Sequence, residues 1–273
     1  MRFRALPVLA VAGLLTLTAC GGSSSSDTSS ASSSSGAAAS SSDGGDLSGT
    51  LTVFAAASLT DVFTDLGDQL MADNPDLDIT FNFAGSSALA TQITQGAPAD
   101  VFASANQTQM TVVTDAGLNG DDPTVFTENV LEIAVPQGNP ADVTGLSDFA
   151  NPDLTLAICA PDVPCGAAAE QVFEAAGITA QPDTLEEDVR AALTKVELGE
   201  VDAALVYASD VQAAGDQVEG IEFPEAEDAV NEYPICTLDG TQNPEAAQAF
   251  LDLVESEAGQ QALTDAGFRS PAS

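Results

Sequence analysis

Five stretches place small or polar residues where side-chain or backbone chemistry is possible. Ser58 closes "LTVFAAAS", Ser86 follows "LDITFNFAG", Cys165 sits in "VPCGAAAE", Asp188-Val189 opens "DVRAALTKVE", and Tyr207 ends "ALVY". A cysteine or serine in such a place is a nucleophile when a base stands beside it, and a cysteine is a metal ligand when others converge on it. The chain has no histidine. That removes Ser-His-Asp and Cys-His catalysis and every histidine metal site. There is no G-x-S-x-G elbow and no G-x-x-x-x-G-K-[ST] loop. An enzyme would have to use Ser58 or Cys165 with only Asp100 or Lys195 to assist, so no catalytic residue is assigned. The remaining chemistry belongs to the backbone. Helix N-termini carry unpaired N–H groups and a partial positive charge, and several converging on one point hold an anion without a cationic side chain. Each residue also has a plainer reading. Ser58 (with Asp61 at capping-box spacing) and Ser86 are serines at helix starts, which ordinarily cap. Asp188 reads as an N-cap, and Tyr207 as a half-buried packing residue.

The elements that position these residues follow from periodicity. "LTVFAAAS" (51–58) reads as a strand. Val62, Phe63, Leu66 and Leu70 form a helical stripe, and Ile79, Phe81 and Phe83 alternate as a strand. Ser86 opens a helix through Leu89 and Ile93, and "ADVFASA" is a third strand. This order predicts a parallel α/β sheet with crossover helices. The second half repeats it. "NVLEIAVP" (129–136), "LTLAICAP" (154–161), "VDAALVY" (201–207) and "EYPICTL" (232–238) read as strands. Helices are expected from Cys165 to Ala176 and along Val189, Ala192, Leu193 and Val196, the latter stopped by Gly199. The C-terminus carries a helix with Ala246, Phe250, Leu253 and Val254, then a short one before Gly267. In open α/β sheets ligands bind beyond the carboxyl ends of strands, next to helix N-termini; Ser58, Ser86, Cys165 and Tyr207 follow strands, and Asp188-Val189 is a further helix start.

Composition sets the surroundings. Of 273 residues, 42 are acidic and five are Lys or Arg, for a net charge of −37. Such a chain lacks the basic footprint that nucleic acid requires. Residues 1–19 have the parts of a secretory signal: Arg2 and Arg4, an apolar run from Ala5 to Leu17, and small residues before a cleavage point. "LTAC" resembles a bacterial lipobox with Cys20 as the lipidated residue. Gly21–Asp46 contains 13 serines in 26 residues and reads as a flexible tether averaging roughly 28 Å. No later segment has the ~20 apolar residues of a transmembrane helix. The expected location is extracytoplasmic, lipid-anchored at the cell membrane. Beyond Cys20 the cysteines are Cys159, Cys165 and Cys236, so one pair leaves one unpaired, and export permits a disulfide.

Taken together, "VFAAASLTDVF", "FAGSSALATQI", "GAPADVFASAN", "VPCGAAAEQVF", "EEDVRAALTKVE", "ALVYASD" and "EYPI" resemble the molybdate-binding proteins of bacterial ABC transporters, in order and spacing. The resemblance covers nearly all of Leu51 to Phe268. It implies the two-lobed periplasmic binding protein fold (type II), each lobe a mixed, mostly parallel sheet flanked by helices, joined by two crossing segments. One lobe would be 47–129 plus 237–273 and the other 130–236, after a signal peptide (1–19) and a lipidated tether (20–46). It further implies that Ser58 and Ser86 each give a hydroxyl and an N–H to the oxyanion, Cys165 and Val189 each an N–H, and Tyr207 its phenol. Gly166 and the alanines after Cys165 would let the anion come close. A disulfide from Cys159 to Cys165 would brace that loop, with Cys236 left as a small buried residue. The ligand would be molybdate or tungstate, molybdenum entering only as the oxyanion without direct protein ligands, and there would be no cofactor. A membrane permease and an ATPase would be partners of a monomeric binding protein. Another tetrahedral oxyanion such as sulfate is the alternative ligand.

Overall fold

The computed structural model describes residues 47–272. The signal peptide, the lipidation site at Cys20 and the tether therefore lie outside the described residues. In chain order the elements are β1 (Ser48–Ala56), α1 (Thr60–Asp73), β2 (Asp76–Ala84), α2 (Ser86–Thr94), β3 (Val101–Ala103), α3 (Gln107–Asp115), β4 (Thr124–Asn129), β5 (Leu131–Pro136), β6 (Leu156–Cys159), α4 (Pro164–Ala176), β7 (Thr184–Glu186), α5 (Val189–Glu197), β8 (Ala203–Tyr207), α6 (Ala208–Ala214), β9 (Val218–Ile221), β10 (Asn231–Thr237), α7 (Pro244–Glu255) and α8 (Glu257–Asp265).

Two five-stranded sheets form two lobes. The first has the order β2-β1-β3-β10-β4 and the second β7-β6-β8-β5-β9. In each, the first three strands run parallel and the next runs antiparallel to them. The parallel strands are apolar on both faces because helices cover both sides: Leu51, Val53, Phe54 and Ala55 of β1 are all buried. Their neighbours divide between two clusters, one around Phe63, Phe126 and Phe250 and one around Leu89, Phe102 and Met110. Phe63 meets Phe250 edge to face at 5.3 Å, a preferred aromatic geometry. The second lobe has one cluster around Phe149, Phe173, Leu193 and Leu205.

The expected strand 129–136 is β5 with only its first residue, Asn129, belonging to β4 in the other sheet, and the rest of β4 (124–128) went unread. β4 ends at Asn129, Val130 lies between, and β5 starts at Leu131. A continuous apolar run hides this break, because periodicity does not report which sheet a strand joins. The return also differs. β10 pairs with β3 and β4 in the first sheet, so by sheet membership the chain has left the second lobe before Asn231, not at 236. Helix α5 forms as read: Val189, Ala192, Leu193 and Val196 are buried, Asp188 caps it by accepting the Ala191 N–H at 2.9 Å, and Gly199 follows with φ +66°. Helices α3 and α6 and strands β7 and β9 went unread; each is short, and packing rather than pattern defines them. No helix among the described residues is long and apolar enough to cross a membrane.

Candidate oxyanion site between the lobes

The carboxyl ends of five parallel strands deliver the five candidates to one cavity. β1 leads through the turn Ala57–Leu59 to Ser58, β2 through Gly85 to Ser86, β6 through a short loop to Cys165, β7 to Val189, and β8 ends at Tyr207. All five line one cleft with about 200 Å³ of space unfilled by protein atoms. The lining includes no Lys or Arg, and its one acid, Asp188, spends Oδ1 on the cap of α5.

The donors are available. Ser86 and Val189 are the first residues of α2 and α5, and Cys165 is the second of α4, after Pro164. First-turn N–H groups have no intrahelical acceptor. Among the described residues no other backbone acceptor takes those of Ser58, Ser86, Cys165 or Val189. The Tyr207 ring is 1 % exposed, and its hydroxyl has no hydrogen-bond partner among the described residues. Burial, then nearby Tyr233 and Asp210, holds this phenol well above its ordinary pKa, so it keeps its proton.

The serines do not cap, contrary to the plainer reading. Leu59 precedes α1 with no side-chain cap, so the Ser58/Asp61 spacing makes no capping box. Ser58 Oγ instead lies 2.9 Å from the Tyr233 hydroxyl. Gly85 is the N-cap of α2, and Ser86 Oγ accepts the Ala105 N–H at 3.0 Å. Tyr207 is buried rather than half-buried.

Cys159 and Cys165 are disulfide-bonded, with Cα atoms 5.7 Å apart. Cys236 is free and buried, its Sγ 3.6 Å from Met110 Sδ, and burial pushes its thiol up to about 12. Gly166 does not serve ligand approach. A Cβ there would fall 1.9 Å from the Ala160 carbonyl oxygen, so glycine is needed to seat α4 against the loop that the disulfide ties. Asp100 and Lys195 are occupied elsewhere. Asp100 accepts from the Thr52 N–H at 2.7 Å and the Thr241 hydroxyl at 2.6 Å, and Lys195 lies 3.6 Å from Glu186. Among the described residues no His/Cys/Asp/Glu cluster could hold a metal ion.

Two features of the site escaped sequence reading. The first is Gly85. A Cβ on it would come within 2.3 Å of the Glu187 carbonyl oxygen in the other lobe. The second is an ion-pair bridge beside the cavity. Arg190, next to Val189, has Nε 3.0 Å from Asp210 in its own lobe and its terminal nitrogen on Asp61 of α1 in the other. Asp210 is buried and also accepts the Tyr207 N–H at 3.0 Å. Burial lifts its carboxyl to about 7, while Arg190 and that N–H pull it down. "FAGSS" and "DVR" contained both features, but nothing in either string says that it will meet the opposite lobe.

Known proteins resemble this chain in sequence and fold. The family described as bacterial extracellular solute-binding protein matches residues 51–269. The molybdate-binding protein ModA of Mycobacterium tuberculosis is 44% identical over 222 residues, covering 81% of this chain and 85% of that protein. The periplasmic molybdate-binding protein of Azotobacter vinelandii superposes with a TM-score of 0.70 at 19% identity, over 81% of this chain and all of that one. The sulfate-binding protein SubI of M. tuberculosis superposes with a TM-score of 0.67 at 16% identity, over 81% and 86% of the two chains. With the matched segment spanning both sheets and all five cavity residues, the chain belongs to the bacterial extracellular solute-binding proteins.

Proposed function

We propose that this protein captures molybdate, and tungstate with it, between its two lobes outside the cytoplasm and delivers it to an ABC transporter. The observation that carries the reading is the buried Tyr207 hydroxyl, without a hydrogen-bond partner among the described residues, in a cavity that the first residues of three helices also line. A buried hydroxyl with no partner costs about 1–3 kcal/mol; a ligand oxygen in the cavity removes that cost. Ser58, Ser86, Cys165 and Val189 supply further donors, and the absence of a lining cation suits a ligand bound by dipoles. The name of the M. tuberculosis relative supports molybdate as the ion. The protein acts by binding and has no catalytic residues or cofactor. Its partners are a membrane permease and an ATPase, and a lipid on Cys20 keeps the monomer at the membrane.

Donor-only chemistry also discriminates. Hydrogen phosphate carries a proton that needs an acceptor, and facing it against an N–H costs about 1–3 kcal/mol. Molybdate, tungstate and sulfate bring no proton. Sulfate is the second reading, favoured by the fold it shares with SubI. Titration calorimetry with molybdate, tungstate, sulfate and phosphate separates the two. Tight molybdate and tungstate binding, weak sulfate and no phosphate are expected. Ser86→Ala and Tyr207→Phe should each weaken molybdate about 10-fold or more. Sulfate as tight as molybdate, or unchanged affinity in both variants, overturns the assignment.

A further inference from the structure

A chain of buried polar side chains runs from the crossing strands to the cavity. Asn129, the last residue of β4, is fully buried. Its Oδ1 accepts the Val130 N–H at 3.0 Å, which sets the orientation of the amide. Its Nδ2 then faces Ser209 Oγ at 2.7 Å and the Tyr233 hydroxyl at 3.5 Å. An amide NH₂ has only protons to offer, so the Tyr233 oxygen accepts. Ser58 Oγ lies 2.9 Å from the same hydroxyl, in a pair where either oxygen can donate, and a Tyr233 oxygen already facing the Asn129 amide protons favours Tyr233 as the donor. Tyr233 keeps its proton at any ordinary pH, because burial raises its phenol well above the usual range. With Tyr233 as donor, Ser58 Oγ is occupied as an acceptor, and its own single proton is left for the cavity it lines. Ser86 reaches the same state by another route, since its oxygen accepts the Ala105 N–H.

We propose that Tyr233, oriented by Asn129, is a positioning residue that commits the Ser58 hydroxyl to donate into the cavity, and so sets the preference for fully deprotonated oxyanions. This rests on the oxyanion reading of the site. Without the Tyr233 hydroxyl, Ser58 is free to turn its proton inward and accept from a protonated ligand.

The test is a double-mutant cycle of Tyr233→Phe and Ser58→Ala, read by calorimetry with molybdate and with hydrogen phosphate at pH 7. Tyr233→Phe should weaken molybdate about 10-fold and narrow the molybdate-to-phosphate ratio. In the Ser58→Ala background the same change should cost less than about 3-fold. An equal cost in both backgrounds marks a purely structural role and overturns the proposal, as does an unchanged ratio. If wild-type protein binds no tetrahedral dianion, the oxyanion reading itself falls. If Tyr233→Phe does not fold, NMR of the molybdate-loaded wild type locates the Tyr233 hydroxyl proton. Contacts from it to the Ser58 β-protons are expected. A Ser58 proton donated to the Tyr233 oxygen overturns the proposal.

Discussion

Cys165 shows how far a side chain's chemistry can be set aside by its position. Its sulfur is tied to Cys159, and its N–H, second in α4, belongs to the helix start that lines the cavity. Binding should therefore survive loss of the sulfur. Cys165→Ala is expected to hold molybdate affinity within about 3-fold and lower unfolding stability by about 2 kcal/mol, the scale for a short disulfide loop. Calorimetry and denaturant melts check the two parts. A large affinity loss would mean that the bridge, not the helix start, holds the N–H in place. The serines teach the complementary point. Both read as caps, yet their oxygens are spent on Tyr233 and the Ala105 N–H.

At the scale of elements, the cavity exists because strand ends of two sheets face one another, and residues of both sheets meet beside it. Gly85 has extended, polyproline-like backbone angles, φ −58° and ψ 133°, which alanine also adopts, so alanine is tolerated there within its own lobe. A Cβ would nonetheless meet the Glu187 carbonyl oxygen at 2.3 Å. Gly85→Ala should leave the melting temperature of the unliganded protein within a few degrees and weaken molybdate at least 10-fold. Small-angle scattering with saturating ligand should show a more open molecule than wild type. The Arg190 bridge acts in the same gap but is partly exposed. Asp61→Asn should cost only a few-fold in affinity, with the difference shrinking as salt rises from about 0.05 to 1 M.

For the whole molecule, charge dominates. Three cations oppose all 42 acids in the chain after residue 19, and each of the three is paired with carboxylates. Some acids are pushed toward the neutral form by their surroundings. Glu132 on β5 is half-buried, and burial with Glu222 nearby raises it to about 7. A carboxyl raised on folding stabilises while protonated, and the contribution is lost as pH rises through 7. Wild-type protein should therefore lose stability between pH 5 and 8. Glu132→Gln should recover about 1–2 kcal/mol at pH 8, after allowance for solvent screening, and change little at pH 5. Asp210, also lifted to about 7, leaves a residual slope in the variant. Melts across that range give the answer; a Gln variant as pH-dependent as wild type would discount Glu132.

The local string determined much of this protein. Buried apolar runs, helical stripes and caps such as Asp188 are encoded within a few residues, so the α/β class, the strand ends bearing Ser58, Ser86, Cys165 and Tyr207, and the helix start at Val189 were legible. The tertiary structure decided what depends on residues far apart. It added β4 (124–129) to the first sheet ahead of β5 and placed β10 in that same sheet. It brought Gly85 against Glu187 and Arg190 against Asp61, and it put Tyr233 behind Ser58, 175 residues away in sequence. Periodicity reports which face of an element is buried, but a contact between lobes is a property of two surfaces, and neither strand of sequence carries the other's coordinates.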